Sequence, residues 1–285
     1  MCAAGVCFSS IDTIGKLLVR EMSTTQVAWA RFLGALVITA FIVGVSRPSG
    51  MRTTRPWLQI VRSILLLLSN VLNLYALRFL QLDQTLSIMF ATPFMVATFA
   101  VPLLGERIGP RRWAAICVGF LGVLIVTRPG AGGIHPAAAL SLLAAGTYAF
   151  YSITTRILSH TDSSMTNLLY SNLVGGIVLT ALVPFVWKTL NLWQILLMVV
   201  MAAFAAMGHY LMIIAHRLAP ASILSPFMYT QLVWMIFYGY VVFADLPNHW
   251  TLAGAAVVIA SGLYLLYRER KVKGPAAPVS GDPVA

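Results

Sequence analysis

The chain has 285 residues, 59% of them hydrophobic and only 9% charged, with a mean hydropathy of +0.86. A soluble domain carries about 25% charged residues to clothe its surface; this chain lacks the polar material to fold in water, and a lipid-facing surface removes that need. The net charge of +11 does not indicate nucleic acid, because the 19 basic residues lie scattered between apolar runs and form no single basic face.

A helix needs about 20 mostly apolar residues to cross a hydrocarbon core roughly 30 Å thick. The first such run, 2–19, begins at Cys2 without a basic leader and is interrupted by Asp12 and Lys16, so it predicts a membrane helix and not a cleaved signal. Runs at 27–46, 57–77 and 84–104 follow, divided by turn-forming segments such as Arg47-Pro48-Ser49-Gly50. The fifth run, 112–127, is short, but Pro110 and Arg111-Arg112-Trp113 give it an interfacial start. Beyond Arg128-Pro129-Gly130 come 137–157, 165–187, 193–214, 221–244 and 250–267, which brings the predicted spans to ten. The Pro-rich end, 274–285, predicts disorder, and 271–285 is assigned to a disordered cytoplasmic tail. Cys2, Cys7 and Cys117 have no paired spacing and are expected to pack as small residues.

Basic residues in alternate loops set the orientation. With the N-terminus inside, the cytoplasmic segments hold twelve: Arg47, Arg52, Arg55, Arg107, Arg111, Arg112, Arg156, Arg217, Arg268, Arg270, Lys271 and Lys273. The opposite side holds five, namely Lys16, Arg20, Arg78, Arg128 and Lys188. Both termini are therefore expected in the cytoplasm, with the chain in the plasma (inner) membrane.

The chain also repeats itself. At an offset of 140, Phe8, Asp12 and Lys16 fall on Tyr148, Ser152 and Arg156. At 139, Arg78 falls on Arg217, Phe90 on Tyr229, and Leu104-Gly105-Glu106 on Phe243-Ala244-Asp245. Two five-span halves run in opposite orientations because five is odd. The predicted fold is all-α integral membrane, with ten transmembrane helices as two inverted five-helix repeats over 1–130 and 131–270. In such folds the substrate site lies near the midplane between the halves.

Three groups of residues carry a resemblance. They are Asp12-x-x-x-Lys16 with Gln26-x-x-x-x-Arg31; Pro93 with Leu104-Gly105-Glu106 and Gly119-x-x-Gly122; and Ala244-Asp245 with Ser261-Gly262. Together they resemble a ten-helix EamA-type member of the drug/metabolite transporter superfamily, along essentially the whole chain. The Asp–Lys pattern is similar to that of the branch containing S-adenosylmethionine and riboflavin carriers, without designating a substrate. The chain departs from the family at Leu232, where a proline is expected, and lacks the Trp-Gly pair of helix one.

The candidate path residues follow from what is costly in lipid. Asp12 sits halfway along helix one with Lys16 one turn on, so an i,i+4 ion pair is within reach. Two readings stand: a neutralised pair that locks the helix, or Asp12 lining a central path to meet substrate or a coupling proton. Arg31 either snorkels to headgroups or offers a fixed cation to an anionic or zwitterionic substrate; the resemblance favours the second. Glu106 is expected to close helix four. Asn70 and Asn73, i,i+3 on helix three beside Ser69 and Tyr75, either bond between helices or line an aqueous cavity. His209 is a bonded core residue or a proton-coupling group. Tyr148, Tyr151 and Tyr229 are lipid contacts or inward faces on which a planar or cationic substrate stacks. Pro93 and Pro226 lie inside predicted helices and are hinges or static bends.

A secondary transporter of a small organic metabolite (an amino acid, a nucleoside-like or a drug-like compound) working by alternating access is the expected function. A passive small-solute channel and an integral membrane enzyme are the alternatives. The chain has no H-E-x-x-H, G-x-S-x-G or G-x-x-x-x-G-K-[ST], so no catalytic site, metal or cofactor is expected. The expected partners are a small-molecule substrate and the lipid bilayer, with no nucleic acid, in a monomer or homodimer.

Overall fold

In the computed structural model the described residues are 1–46, 53–76, 79, 85, 88–105, 108–127, 136–244 and 249–273. Among them the structure is all helical, without strands. Ten helices of 13 residues or more follow the apolar runs in order. They are α1 (Cys2–Val19), α2 (Thr24–Ser46), α3 (Pro56–Ala76), α4 (Thr92–Leu104) and α5 (Pro110–Thr127), then α6 (Ala138–Leu158), α7 (Ser164–Leu182), α8 (Leu192–Leu218), α9 (Thr230–Phe243) and α10 (His249–Lys273). Glu106, Arg128, Asp245 and the segment 274–285 lie outside the described residues. Helix α10 runs to Lys273, beyond the predicted end of its span at 267 and into the segment assigned to the tail.

Local chemistry explains the boundaries. Helix α8 starts in a capping box, with Asn191 Oδ1 accepting from Gln194 N at 2.8 Å and Gln194 Oε1 accepting from Asn191 N at 3.1 Å. Ser163 caps α7 by accepting from Thr166 N at 3.0 Å. Gly105 ends α4 in the left-handed region at φ 66°, and Ala244, 139 residues later, ends α9 there at φ 56°.

Two predicted spans are interrupted. In the fourth, Phe90 and Ala91 form a turn, and α4 starts at Thr92 with Pro93 in its first turn. In the ninth, a single turn at Ala221–Leu224 and a 3-10 segment at Ser225–Tyr229, which Pro226 helps to open, precede α9. Both prolines thus lie at the openings of helical segments and not inside continuous helices. Proline lacks an N–H, which costs nothing in a first turn, so both prolines sit where helices begin.

Among the described residues, five helical stretches are long and apolar enough to cross a membrane: Cys2–Val19, Thr24–Ile42, Pro56–Ala76, Ser164–Val186 and Leu192–Leu218. Shorter apolar helical segments, including Thr92–Leu104 and Phe227–Phe243, accompany them. Large apolar side chains such as Phe41, Phe185 and Val199 point outward, as a lipid-facing surface requires. Trp57, Trp187 and Trp193 are exposed near helix ends, where amphipathic rings settle at the headgroups.

Packing is reciprocal between the two halves of the chain. Helix α1 packs on α8 and α9, while α3 and α4 pack on α6; α2 packs on α8 and α3 on α7; α2 faces α7 and α5 faces α10. Each contact of helix n with helix m+5 is thus matched by one of m with n+5. Small residues permit the close approaches. A Cβ at Gly208 would lie 2.9 Å from Cys7 Cβ, and one at Gly175 only 2.4 Å from the Phe32 ring, so α1–α8 and α2–α7 meet backbone to side chain.

Candidate functional site

A cavity of about 90 Å³ lies at the middle of α1, among α1, α2, α3, α6 and the two interrupted helices. Helix α1 contributes Phe8, Ile11 and Asp12, which the i, i+3, i+4 spacing places on one face. Arg31 comes from α2, Ser69, Asn70 and Asn73 from α3, and Tyr148 from α6. The interruptions supply Met89, Phe90 and Thr92 on one side and Met228 and Gln231 on the other. A second space of about 50 Å³ shares Ile11, Asp12, Arg31, Asn70 and Asn73 and extends past Lys16, Val19 and Val27 toward the α1–α2 turn.

The lining residues come in equivalents. Phe8 and Tyr148 are 140 apart, while Met89 and Met228, and Thr92 and Gln231, are 139 apart. These are the offsets of the sequence repeat. Met89, Met228, Thr92 and Gln231 were missed by reading the sequence for charge, and the repeat offset is the signal that pairs them.

The two charges of the cavity are held by neutral partners. Asp12 Oδ2 accepts a hydrogen bond from Gln231 Nε2 at 3.1 Å. Arg31 Nη1 donates to Asn70 Oδ1, and Arg31 Nη2 lies 3.5 Å from His209 Nε2. Asn70 and His209 are again 139 apart. Among the described residues no ion pair within 4.0 Å joins Asp12 to Arg31 or to Lys16. The neutralised Asp12–Lys16 pair is therefore not formed. Lys16 Nζ instead stands 4.2 Å from the Phe243 ring centroid, where the ring face attracts it and Asp12 is left to the cavity. Among the described residues, Asn73 Oδ1 is buried without a hydrogen-bond partner.

Other predicted residues stand behind the wall or away from it. Tyr151 is fully buried, with its hydroxyl 3.2 Å from His209 Nδ1 and 3.4 Å from Ser171 Oγ. His209 meets Phe8 edge-on at 5.1 Å. Tyr229 packs on Phe90 and reaches Ile116 O at 3.5 Å, so it braces the interruption rather than lining the cavity. Tyr75 is 48% exposed and pairs with Phe79, on a different face of α3 from Asn70 and Asn73, and does not line this cavity. Gln26, noted in the motif, ties α2 to the α7–α8 connection by donating to Lys188 O at 2.9 Å.

A second polar cluster, which sequence reading did not assemble, fills the end of the bundle near the α6–α7 turn. Arg62 is fully buried there, donating to Asn167 O and, at 3.3 Å, to Thr155 Oγ1, with the Tyr151 ring centroid 5.7 Å away. Gln59 Nε2 donates to Asp162 Oδ2 and Asn167 Oδ1, both at 2.7 Å. Thr53 and Thr54 also donate to the Asp162 carboxylate. Burial pushes the Asp162 carboxyl up, but the bonds from Thr53, Gln59 and Thr54 outweigh it and hold the group below its ordinary range. Its partners are all more than a hundred positions away along the chain, so no local pattern announces them. Among the described residues no group of three or more His, Cys, Asp or Glu is placed to hold a metal ion.

Apolar helices that enclose a charged, aromatic-walled cavity define a multi-pass membrane protein. The chain belongs to the EamA-like transporter family, whose pattern it matches twice, over residues 1–128 and 135–268. It is 27% identical to an S-adenosylmethionine uptake transporter of Rickettsia bellii, over 92% of this chain and 90% of that protein. It is also 27% identical to a riboflavin transporter of Rhizobium johnstonii, over 97% of this chain and 93% of the relative. A solved crystal structure shares the fold at a TM-score of 0.72 and 16% identity, covering 95% of this chain and 99% of that one.

Proposed function

We propose that the chain is a secondary transporter that carries a small organic metabolite by alternating access, with Asp12 and Arg31 as the polar contacts of its substrate. The single observation that carries this reading is the cavity at mid-helix, walled by both interrupted helices and holding two opposite charges without a direct ion pair between them. Interrupted helices at the junction of two repeats are where carriers of this kind bind substrate. The ten helices are read as ten spans in two inverted repeats, 1–130 and 131–270. The reciprocal packing, the 139–140 offsets in the lining and the twofold family match support that reading. Both termini are assigned to the cytoplasmic face of the plasma (inner) membrane on the basic-residue bias. The names of the relatives support an organic metabolite as cargo.

Cavity size supports movement. At about 90 Å³, the space is far below the roughly 300–1,000 Å³ of sites that enclose a drug-sized ligand. Loading requires the helices to part, and Pro93 in the first turn of α4 and Pro226 in the 3-10 segment before α9 are the assigned hinges. The test is flux in proteoliposomes with labelled S-adenosylmethionine and riboflavin, backed by comparison of metabolites retained by cells with and without the gene. Saturable uptake with counterflow is expected; linear, non-saturating flux would make the protein a pore. Asp12→Asn is expected to abolish or uncouple transport while membrane insertion persists, and full activity would assign Asp12 to packing.

A further inference from the structure

We infer that His209 and Tyr151 are positioning residues that transmit the state of Arg31 in the central cavity to Arg62 in the far-end cluster, through one oriented chain of hydrogen bonds; this rests on the carrier reading above. The chain runs from Arg31 Nη2 to His209 Nε2 at 3.5 Å and from His209 Nδ1 to the Tyr151 hydroxyl at 3.2 Å. It continues to Ser171 Oγ at 3.4 Å and from there to Asn167 O at 2.8 Å. Arg62 Nη2 donates to that same carbonyl, and its guanidinium faces the Tyr151 ring. The chain thus leaves the cavity on α2, crosses α8, α6 and α7, and meets α3 two turns from Asn70, which holds the other arm of Arg31.

Both ends fix its direction. A guanidinium only donates and a carbonyl only accepts. His209 Nε2 must therefore accept, which puts the ring proton on Nδ1, pointed at the tyrosine oxygen. The Tyr151 hydroxyl then donates to Ser171, whose own proton goes to Asn167 O. Every link is polarised the same way, and such links reinforce one another in a low-dielectric interior. A ligand that draws Arg31 away removes the donor that clamps His209 Nε2. The imidazole is then free to turn over its tautomer, and the pull on Tyr151 and on the carbonyl beneath Arg62 is released. Two residues that touch neither the cavity nor the membrane surface thereby make cavity occupancy felt at the far end.

The test uses the full chain, purified, with Cys2→Ser, Cys7→Ser and Cys117→Ser, and Leu158→Cys as reporter. Leu158 is fully buried in the far-end region, and its hydrogen bonds to Asn167, Thr161 and Asp162 all go through its backbone carbonyl, which a cysteine keeps. The rate of maleimide labelling reads opening of that end. Arg31→Gln is expected to raise the rate on the order of tenfold, a coupling of ordinary size. Tyr151→Phe, which keeps the ring beneath Arg62, is expected to do the same, and the double variant to label no faster than either single one. A merely structural loosening gives effects that multiply, and that result, or no change with Arg31→Gln, overturns the inference. Should Tyr151→Phe not fold, Ser171→Ala cuts the next link and takes its place in the cycle. Saturable flux with independent labelling removes this inference alone, whereas coupled labelling with only non-saturating flux removes the carrier reading.

Discussion

Helices α3 and α6 each pass through two polar regions that handle buried charge in opposite ways. At the cavity, Asp12 and Arg31 share a wall without a direct ion pair, and among the described residues Asn73 Oδ1 has no hydrogen-bond partner. Two turns away, Gln59, Arg62, Thr155, Asn167 and Asp162 fill the space and bind one another, with Gln59 Oε1 and Arg62 Nε left over. Burying an ionisable group is costly anywhere, and at mid-membrane the cost is about 2.5–3.5 kcal/mol on insertion scales, so each region has to compensate its own. The far-end cluster does so with protein groups from distant parts of the chain. The cavity leaves the completing partner to whatever occupies it. The contrast teaches where stability and function reside: groups whose bonds are used up by neighbours hold helices together, and groups with spare bonding capacity beside a space serve a ligand.

The sharpest way to break that contrast is Gln59→Leu. Gln59 is fully buried and joins Asp162 to Asn167. Its loss removes a charge-assisted bond and strands the Asn167 amide oxygen, for about 3–5 kcal/mol in total. Thermal unfolding in detergent is expected to fall by several degrees; an unchanged midpoint would show that the cluster is not what holds α3 to α7.

Asp162→Asn is the next largest. The side chain keeps its size but loses the charge that Thr53, Thr54 and Gln59 address, for about 1–2 kcal/mol. Because the folded group titrates below its ordinary range, its contribution is complete above the unfolded value of about 3.9 and is lost as pH falls through the folded value. Stability of the native chain is thus expected to hold from neutrality to about pH 5 and to decline further down, while the variant shows a shallower acid limb. Parallel acid limbs would remove the charge from the account. In the cavity, Gln231→Leu takes away the hydrogen bond to Asp12 at a site beside open space. Stability is expected to change by under about 1 kcal/mol, with transport reduced well out of proportion; equal losses of both would erase the difference between the regions.

Much of this was legible in the residues. Hydropathy placed the ten helices because each follows an apolar run, and the offset of 139 appears again in Gly105 and Ala244 at the ends of α4 and α9. Asp12, Arg31, Asn70 and Asn73 stand out because polar groups are costly in lipid, Tyr148 as an aromatic ring able to stack on a substrate, and all five line the cavity. What stayed hidden depends on rotation and on distance along the chain. Lys16 lies one turn from Asp12, but its ammonium turns to a ring on α9 that no helical wheel contains. Gln59 and Asp162 are 103 positions apart and look like ordinary end-of-helix polar residues until the fold joins them.

Tyr75→Phe should have the smallest effect, and it tests the boundary between the two kinds of residue. Tyr75 is polar-tipped, lies on the same helix as Asn70 and Asn73 and sits two positions past the latter, which turns it roughly 200° around the axis. It is 48% exposed and stacks edge-on with Phe79 at 5.6 Å, a contact that phenylalanine reproduces. The expected change in stability is within about 0.5 kcal/mol, and transport should be indistinguishable from that of the native chain. A substantial loss of flux with unaltered stability would mean that α3 turns this face toward the path in another state of the cycle, and the set of path residues would have to be drawn from two faces of α3 instead of one.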